Sequence, residues 1–282
     1  MKEVLSFGYS YDTDTDTLEA VNQISNYGLF STVILLAAAA SRVHKKYGIL
    51  PSKVKAPSTL QRFKDKKDDD IFSQLFTVDE TVKIPEIRAF NPDVHHSLYR
   101  DSLIKAVSPY IRRYGAPNES VKTAIIDLKA RYDLDNLDRV SVIYRGSDKW
   151  TDKGGWPDAG PGAYVRMTNK LKIADKNLKV LIQSEEMAIC KFFRQKYKAF
   201  FIPETAVGDT KLTTRPIPEL DRGTWLKYFI ASLHIHSESK HVITYTGNSG
   251  FFVVALRGHT ENVLQECLFS KKVEEIFYND YE

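Results

Sequence analysis

Cysteine is scarce in this sequence, which has only Cys190 and Cys267 among 282 residues. Both lie in apolar stretches, which is typical of reduced cysteines in a core rather than of a disulfide framework. No Cys or His spacing matches a zinc site. The cysteine usage predicts a protein of a reducing compartment, and we expect it in the cytoplasm.

Long apolar runs are also missing. The most apolar stretch, residues 33–40, is followed closely by Arg42, Lys45 and Lys46. A membrane span needs about 20 apolar residues. The first residues do not have the pattern of a secretory signal peptide. We therefore expect a soluble protein without a membrane span.

Neither sign of charge is in large excess. Lys and Arg total 40, against 36 Asp and Glu, which gives a net charge of +4. The lysine-rich stretch 53–70 is interspersed with aspartates, which argues against a stripe that follows nucleic-acid phosphates. We do not expect a nucleic-acid partner. A small anionic ligand fits the charge, and so does an ordinary basic surface.

The apolar content of 43% is enough for a sizeable core. In the N-terminal half, a strand is predicted over 4–9, with helices over about 32–46, from Asp93 toward Gly115, and over 120–132. From residue 138, strands predicted at 140–144, 178–182, 199–202 and 241–245 alternate with helices. This alternation predicts an α/β fold with a parallel sheet covered on both faces. We divide the chain into residues 1–135 and 136–282.

Ligands of parallel sheets bind beyond the carboxyl ends of the strands. Strand 140–144 is followed by Arg145, whose planar guanidinium matches phosphate oxygens two at a time. Strand 178–182 is followed by Gln183, Ser184 and two glutamates, and strand 241–245 by a small polar turn before an apolar helix. Such a turn offers free backbone N–H groups to an anion.

Together the three strand ends predict a site for a nucleoside diphosphate. Its expected binding residues are Tyr144, Arg145, Asp148, Lys149, Ser184, Glu185, Glu186, Thr246, Gly247, Asn248 and Ser249. Each segment also has an ordinary interpretation. Arg145 and Asp148 are compatible with a surface ion pair, and acidic residues in a first helical turn are favoured by the helix dipole alone.

Three blocks resemble the donor half of fucosyltransferases of the α-1,6 and protein O-linked type, including the nodulation fucosyltransferases. They are Arg145-x-x-Asp148-Lys149 after a strand, the glutamate pair before a helix, and residues 244–248 after a helix and a strand. They cover roughly 138–258. Residues 28–31 are similar to a motif at the start of many such transferases.

The resemblance implies a GT-B fold, in which two Rossmann-like halves enclose a cleft. It also implies inversion at the anomeric carbon without a metal. Arg145 would bind the β-phosphate, and the turn 246–249 would bind phosphate or ribose. The nucleotide sugar is the donor substrate rather than a cofactor, and a glycan or glycoconjugate is the acceptor.

Two departures from the family concern recognition of the nucleobase of the donor. The family's histidine and aspartate that help to recognise guanine correspond here to Ile143 and Ala231, which cannot form those hydrogen bonds. We therefore favour a UDP-sugar such as UDP-xylose over GDP-fucose. A GDP-fucose-dependent fucosyltransferase and a non-catalytic nucleotide- or glycan-binding protein are the alternatives. The family's second arginine is Gly146, and its acidic residue five positions after the motif aspartate falls on Lys153.

An inverting transferase needs a general base for the acceptor hydroxyl. Asp152 is the first candidate and Asp158 the second. Both belong to a loop rich in Gly and Pro, where solvated structural carboxylates are also common. The expected acceptor-side residues are Asp12, Asp14, Gly28, Phe30 and Trp156.

The aspartates at 12, 14 and 16 also resemble a calcium loop. That interpretation fails because Thr17 and Gln23 stand where such a loop needs Gly and Glu. A manganese site of the DxD type and an acceptor-side base remain open.

Overall fold

The computed structural model describes residues 2–5, 8–20, 29–55, 71–85, 87–145, 160–184, 186–205 and 222–266. Within these ranges the fold is α/β. The strands are β1 (Lys2–Val4), β2 (Tyr9–Asp12), β3 (Thr17–Ala20), β4 (Lys53–Lys55), β5 (Phe76–Thr77), β6 (Ala116–Pro117), β7 (Arg139–Tyr144), β8 (Lys179–Ser184), β9 (His241–Tyr245) and β10 (Val263–Glu266). The helices are α1 (Leu29–Tyr47), α2 (Ile71–Leu75), α3 (Asp101–Tyr114), α4 (Glu119–Tyr132), α5 (Gly162–Ala174), α6 (Met187–Tyr197), α7 (Arg222–Ser237) and α8 (Asn248–Arg257).

The central sheet is parallel, with the strand order β10-β9-β7-β8. Every residue of β7 is buried. A strand that is buried along its whole length is expected where helices cover both faces of a sheet. Beyond β8, the predicted strand 199–202 is reduced to one bridge, Leu181 to Phe200.

Side chains on β7 show which helices cover which face. Ser141 contacts His236 of α7, whereas Tyr144 packs against Tyr164 of α5. Successive strand residues point to opposite faces, so positions three apart do so as well. Helices α5 and α7 therefore cover opposite faces of the sheet.

The strand order creates a topological switch point. The chain runs from β7 to β8 and to the bridge at Phe200, and then returns through α7 to β9 on the other side of β7. Crevices for ligands form where the strand order reverses in this way. The carboxyl ends of β7 and β9 flank that switch point.

The N-terminal half carries a second sheet, with the order β1-β2-β3-β4. The first two pairs are antiparallel and the third is parallel. The prediction of one strand over 4–9 is wrong, since Val4 ends β1 and Tyr9 begins β2, with Gly8 at a φ of 75° between them. A left-handed residue breaks an extended run. The GT-B arrangement of two Rossmann-like halves stays a prediction.

Helix α1 is buried along almost its whole length. A helix that is apolar on all sides belongs inside a protein, and α1 packs against α3 and α8. The predicted helix from Asp93 is interrupted, because a 3₁₀ turn at Pro92–His96 precedes α3. The side chain of Asn91 caps this turn by accepting a hydrogen bond from the backbone N of Asp93 at 3.0 Å.

The two halves share one apolar core. The ring of Phe30 in α1 lies 4.9 Å from that of Phe252 in α8, and Ser108 of α3 donates a hydrogen bond of 2.5 Å to the carbonyl of Ala255. Among the described residues, no helix has the length and apolar character that crossing a membrane requires.

Candidate functional site

The loop after β7 begins at Arg145, which directly follows the last strand residue and is partly exposed. Tyr144 before it is 2% exposed, and its ring lies 5.0 Å from that of Tyr164 in an edge-to-face arrangement. The sheet thus places Arg145 at the switch point. The other predicted residues of this loop lie outside the described residues; they are Asp148, Lys149, Asp152, Trp156 and Asp158.

The end of β8 lies two residues later than predicted. Gln183 belongs to the strand, and its Oε1 accepts a hydrogen bond of 2.9 Å from Thr205. Ser184 Oγ accepts a hydrogen bond of 3.0 Å from the backbone N of Glu186, which stands immediately before α6. Ser184 therefore shapes the turn into that helix. Glu185 lies outside the described residues.

The turn 246–249 after β9 is held by Tyr99 of the N-terminal half and by Gln265 of β10. Tyr99 Oη accepts a hydrogen bond of 3.0 Å from the backbone N of Gly247 and lies 3.0 Å from the carbonyl of Tyr245, to which it donates. Gln265 Nε2 donates to Thr246 Oγ1 at 2.9 Å, and Gln265 Oε1 accepts from the backbone N of Tyr99 at 2.7 Å. Tyr99 and Gln265 were missed in the sequence, because nothing local connects them to the turn.

Two glycines allow α8 to begin close to β9. A Cβ at Gly247 would lie 2.5 Å from the ring of Tyr245, and one at Gly250 would lie 2.4 Å from Thr244 Oγ1. Both distances are too short for any side chain. Ser249 hydrogen bonds the hydroxyl of Tyr245, which completes the turn. The Gly-x-x-Gly spacing after a strand was the available signal for Gly250.

The first turns of α1 and α8 meet at this point. Asn248 Nδ2 donates a hydrogen bond of 2.6 Å to Ser31 Oγ, although the residues are 217 positions apart. Asn248 Oδ1 is buried and has no hydrogen-bond partner in the part of the chain that the structure describes. Helix N-termini carry unsatisfied N–H groups and partial positive charge, so two that meet favour an anion.

This contact joins two segments that were predicted to bind different substrates, the acceptor and the donor. Ser31 belongs to the predicted acceptor-side motif, and Asn248 to the predicted donor turn. Phe30 beside Ser31 is 9% exposed and packs against Phe229 and Phe252 in the core. Gly28 lies outside the described residues.

The turn that joins β2 to β3, with Asp12 at its start and Asp14 within it, lies away from the strand ends of the parallel sheet. Asp12 accepts hydrogen bonds from Thr15 Oγ1 at 3.0 Å and from the backbone N of Asp14 at 3.2 Å, and these bonds lower the pKa of Asp12. The neighbouring ring of Tyr11 packs 5.7 Å from that of Tyr47, the last residue of α1. The 19 residues of α1 span about 28 Å. The structure therefore does not bring Asp12 and Asp14 together with the strand ends.

No group of three or more potential metal ligands occurs among the described residues. A cavity of about 570 Å³ lies at the opposite, amino-terminal edge of the parallel sheet. Its charges are paired with neighbours: Lys240 contacts Asp138 at 2.7 Å, and Arg257 donates to the carbonyl of Ser237 at 2.9 Å. The predicted site residues do not line it.

No protein-family model and no curated protein sequence matches this chain. The class is therefore set by the fold alone, which is that of an α/β protein with a parallel sheet covered by helices on both faces. Arg145, Ser184, Glu186 and the turn 246–249 lie at the carboxyl edge of that sheet.

Proposed function

We propose that the protein is an inverting glycosyltransferase that moves a monosaccharide from a nucleoside diphosphate sugar to a hydroxyl group of a glycan. The observation that carries the proposal is the contact between Asn248 and Ser31, which joins two helix N-termini at the switch point beside Arg145. A diphosphate is the ligand group that this concentration of N–H donors and positive charge suits best.

The same arrangement suits the chemistry of glycosyl transfer. Negative charge builds up on the diphosphate as the bond to the sugar breaks. Hydrogen-bond donors that are fixed in place before the reaction stabilise that charge without reorganisation. Arg145 and the backbone N–H groups at the start of α8 would serve this purpose, and Tyr99 and Gln265 hold the turn in place.

The preference for one nucleobase in the donor depends on Ile143 and Ala231. Ile143 is 3% exposed on the face of β7 that α7 covers, and Ala231 of α7 is fully buried. Neither side chain can hydrogen bond a base edge. We therefore favour a UDP-sugar such as UDP-xylose over GDP-fucose.

The acceptor would approach from the N-terminal half in a GT-B arrangement of residues 1–135 and 136–282. Asp152 is the first candidate for the general base and Asp158 the second, since both follow β7 in sequence. The distance along α1 makes Asp12 and Asp14 weaker candidates for that role.

Thermal unfolding with GDP, UDP, GDP-fucose, UDP-xylose and UDP-glucose, each with and without Mn²⁺, tests the proposal. Ligand at 100 times its Kd adds about 2.7 kcal/mol of stability, a shift of several degrees. We expect a shift with UDP and a UDP-sugar that Arg145→Ala removes. Arg194→Ala, at an exposed position of α6, is the matched control and should retain the shift.

The outcomes separate the alternatives. A shift confined to the guanine nucleotides would replace the UDP preference with a GDP-fucose-dependent transferase. A folded Arg145→Ala protein with an undiminished shift would overturn the phosphate role of that residue. If no nucleotide shifts the unfolding of the wild type, the proposal of a nucleotide-sugar transferase is wrong.

A further inference from the structure

Trp225 is a buried tryptophan whose indole N–H has no hydrogen-bond acceptor in the described part of the chain. It is the fourth residue of α7 and is 7% exposed, and its Nε1 atom is buried. Another buried donor of the same core is satisfied, since the hydroxyl of Tyr114 donates to the carbonyl of Pro51 at 2.9 Å. A buried donor without an acceptor is costly, and a ligand that accepts the hydrogen bond would explain it.

Trp225 lies on the face of α7 that points to the parallel sheet. Trp225, Ser232 and His236 follow one another at intervals of seven and four residues, which places them on one side of a helix. His236 hydrogen bonds Ser141 of β7, and Ser232 Oγ lies 3.5 Å from Gln183 Oε1 of β8. The same side of α7 that contacts the sheet therefore carries the indole.

The indole lies beyond the carboxyl ends of the strands. Gln183 is in register with Ile143, which follows Ser141 along β7, so α7 approaches the carboxyl edge toward its own N-terminus. From Ser232 to Trp225 the helix rises by about 10 Å. Strand β8 continues past Gln183 for one residue, which adds about 3 Å. Trp225 is therefore on the side of the sheet where the phosphate site is proposed.

Aromatic contacts connect Trp225 to the paired starts of α1 and α8. Its ring stacks on that of Phe229, with centroids 5.1 Å apart and an angle of 11° between the planes. Phe229 lies 5.9 Å from Phe30 of α1, which lies 4.9 Å from Phe252 of α8. Trp225 precedes Phe229 by one turn, as Asn248 precedes Phe252. Helices in contact, as α7 and α8 are, lie about 8–10 Å apart, so one extended ligand can reach both helix starts.

We propose that the Trp225 N–H donates a hydrogen bond to a carbonyl oxygen of the nucleobase of the donor, which is uracil in the donor favoured above. The inference rests on the proposed function and names a residue that recognises one part of its substrate. An indole N–H only donates, so it suits a carbonyl oxygen, and the aromatic rings beside it offer no acceptor for the proton of a sugar hydroxyl. Apolar rings disfavour a phosphate but suit a flat base.

Proton–nitrogen NMR of the indole groups, of which the full chain has three, tests the contact directly. The signal that Trp225→Phe removes belongs to Trp225. A new hydrogen bond moves an N–H proton downfield, so we expect this signal to move with uridine and with UDP. Pyrophosphate, which lacks the base, should leave it in place. If Trp225→Phe fails to fold, the double variant of Trp150→Phe and Trp156→Phe retains only the Trp225 indole and gives the same assignment.

Calorimetric titration measures the effect on binding. Trp225→Phe should weaken the binding of uridine and UDP about tenfold and leave that of pyrophosphate unchanged, whereas a purely structural role would weaken all three alike. Tyr9→Phe is the matched control, because it removes another fully buried donor that has no described acceptor, in β2 of the N-terminal sheet. It should leave all three affinities unchanged.

The outcomes distinguish this inference from the proposed function. A Trp225 signal that stays in place while the wild type binds UDP would overturn the inference and leave the proposed function intact. A signal that moves with pyrophosphate as much as with UDP would assign the indole to phosphate and overturn it as a base contact. Binding of guanine nucleotides alone would overturn uracil as the base. A wild type that binds neither UDP nor GDP nor their sugars would overturn both.

Discussion

Two histidines of α7, the half-buried His234 and the buried His236, each have an Nε2 atom without a hydrogen-bond partner among the described residues. His236 is fully buried, and its Nδ1 contacts Ser141 Oγ, whereas its Nε2 has no partner among the described residues. Burial lowers the pKa of His236 to about 3, and the nearby Arg139 acts in the same direction. Burial likewise lowers the pKa of His234 to about 4. At the scale of single residues, these two side chains make the stability of the fold sensitive to acid.

We predict that stability falls as the pH drops below about 6.5, the ordinary pKa of histidine. The unfolded chain then binds protons that the folded state excludes, which costs about 1.4 kcal/mol per histidine and pH unit. Urea unfolding at pH 7.5 and 5.5 should differ by roughly 2.5 kcal/mol for the two histidines. His234→Gln should reduce that difference by about half. Equal stability at the two pH values would contradict the prediction.

At the scale of elements, the start of α8 depends on the glycine at position 250. Helix propensity alone predicts that Gly250→Ala stabilises α8 by about 1 kcal/mol. Contact with Thr244 Oγ1 at 2.4 Å and with the carbonyl of Tyr245 at 2.5 Å predicts the opposite, because α8 would have to move away from β9. We expect a loss of about 1–3 kcal/mol in the free energy of unfolding.

Gly162→Ala is the matched control for that experiment. A Cβ at Gly162 meets only the flexible end of Arg166, at 3.6 Å, so we expect no loss of stability. Urea unfolding of both variants gives the comparison. A Gly250→Ala protein as stable as the control would show that α8 does not pack on β9 as closely as described.

At the scale of the whole molecule, the core runs through both halves of the chain. Helix α1 belongs to the N-terminal half, yet it packs against α8 of the C-terminal half. Because each half buries apolar side chains against the other, we predict a single unfolding transition. Tryptophan fluorescence and far-UV circular dichroism should give the same urea midpoint. Two separate transitions would instead support independent domains on either side of residue 135.

Local sequence patterns predicted those helices and strands that depend on interactions within a few residues. Helix α6 occurs at Met187–Tyr197 and strand β9 at His241–Tyr245, as expected, because apolar spacing and β-branched runs act within a few residues. The single strand over 4–9 and the continuous helix from Asp93 failed. Turn geometry at Gly8 and extended backbone at Ser97 and Arg100 divide them, and neither interrupts the apolar pattern.

The sequence by itself determined the α/β class and the carboxyl ends of β7 and β9, since periodicity and composition specify these. Only the tertiary structure decided which of those ends meet. It joined Ser31 to Asn248 across 217 residues, and it separated Asp12 from both. Such contacts depend on strand order and on how helices pack against the sheet, and these follow from the burial of the whole core rather than from any local stretch of chain.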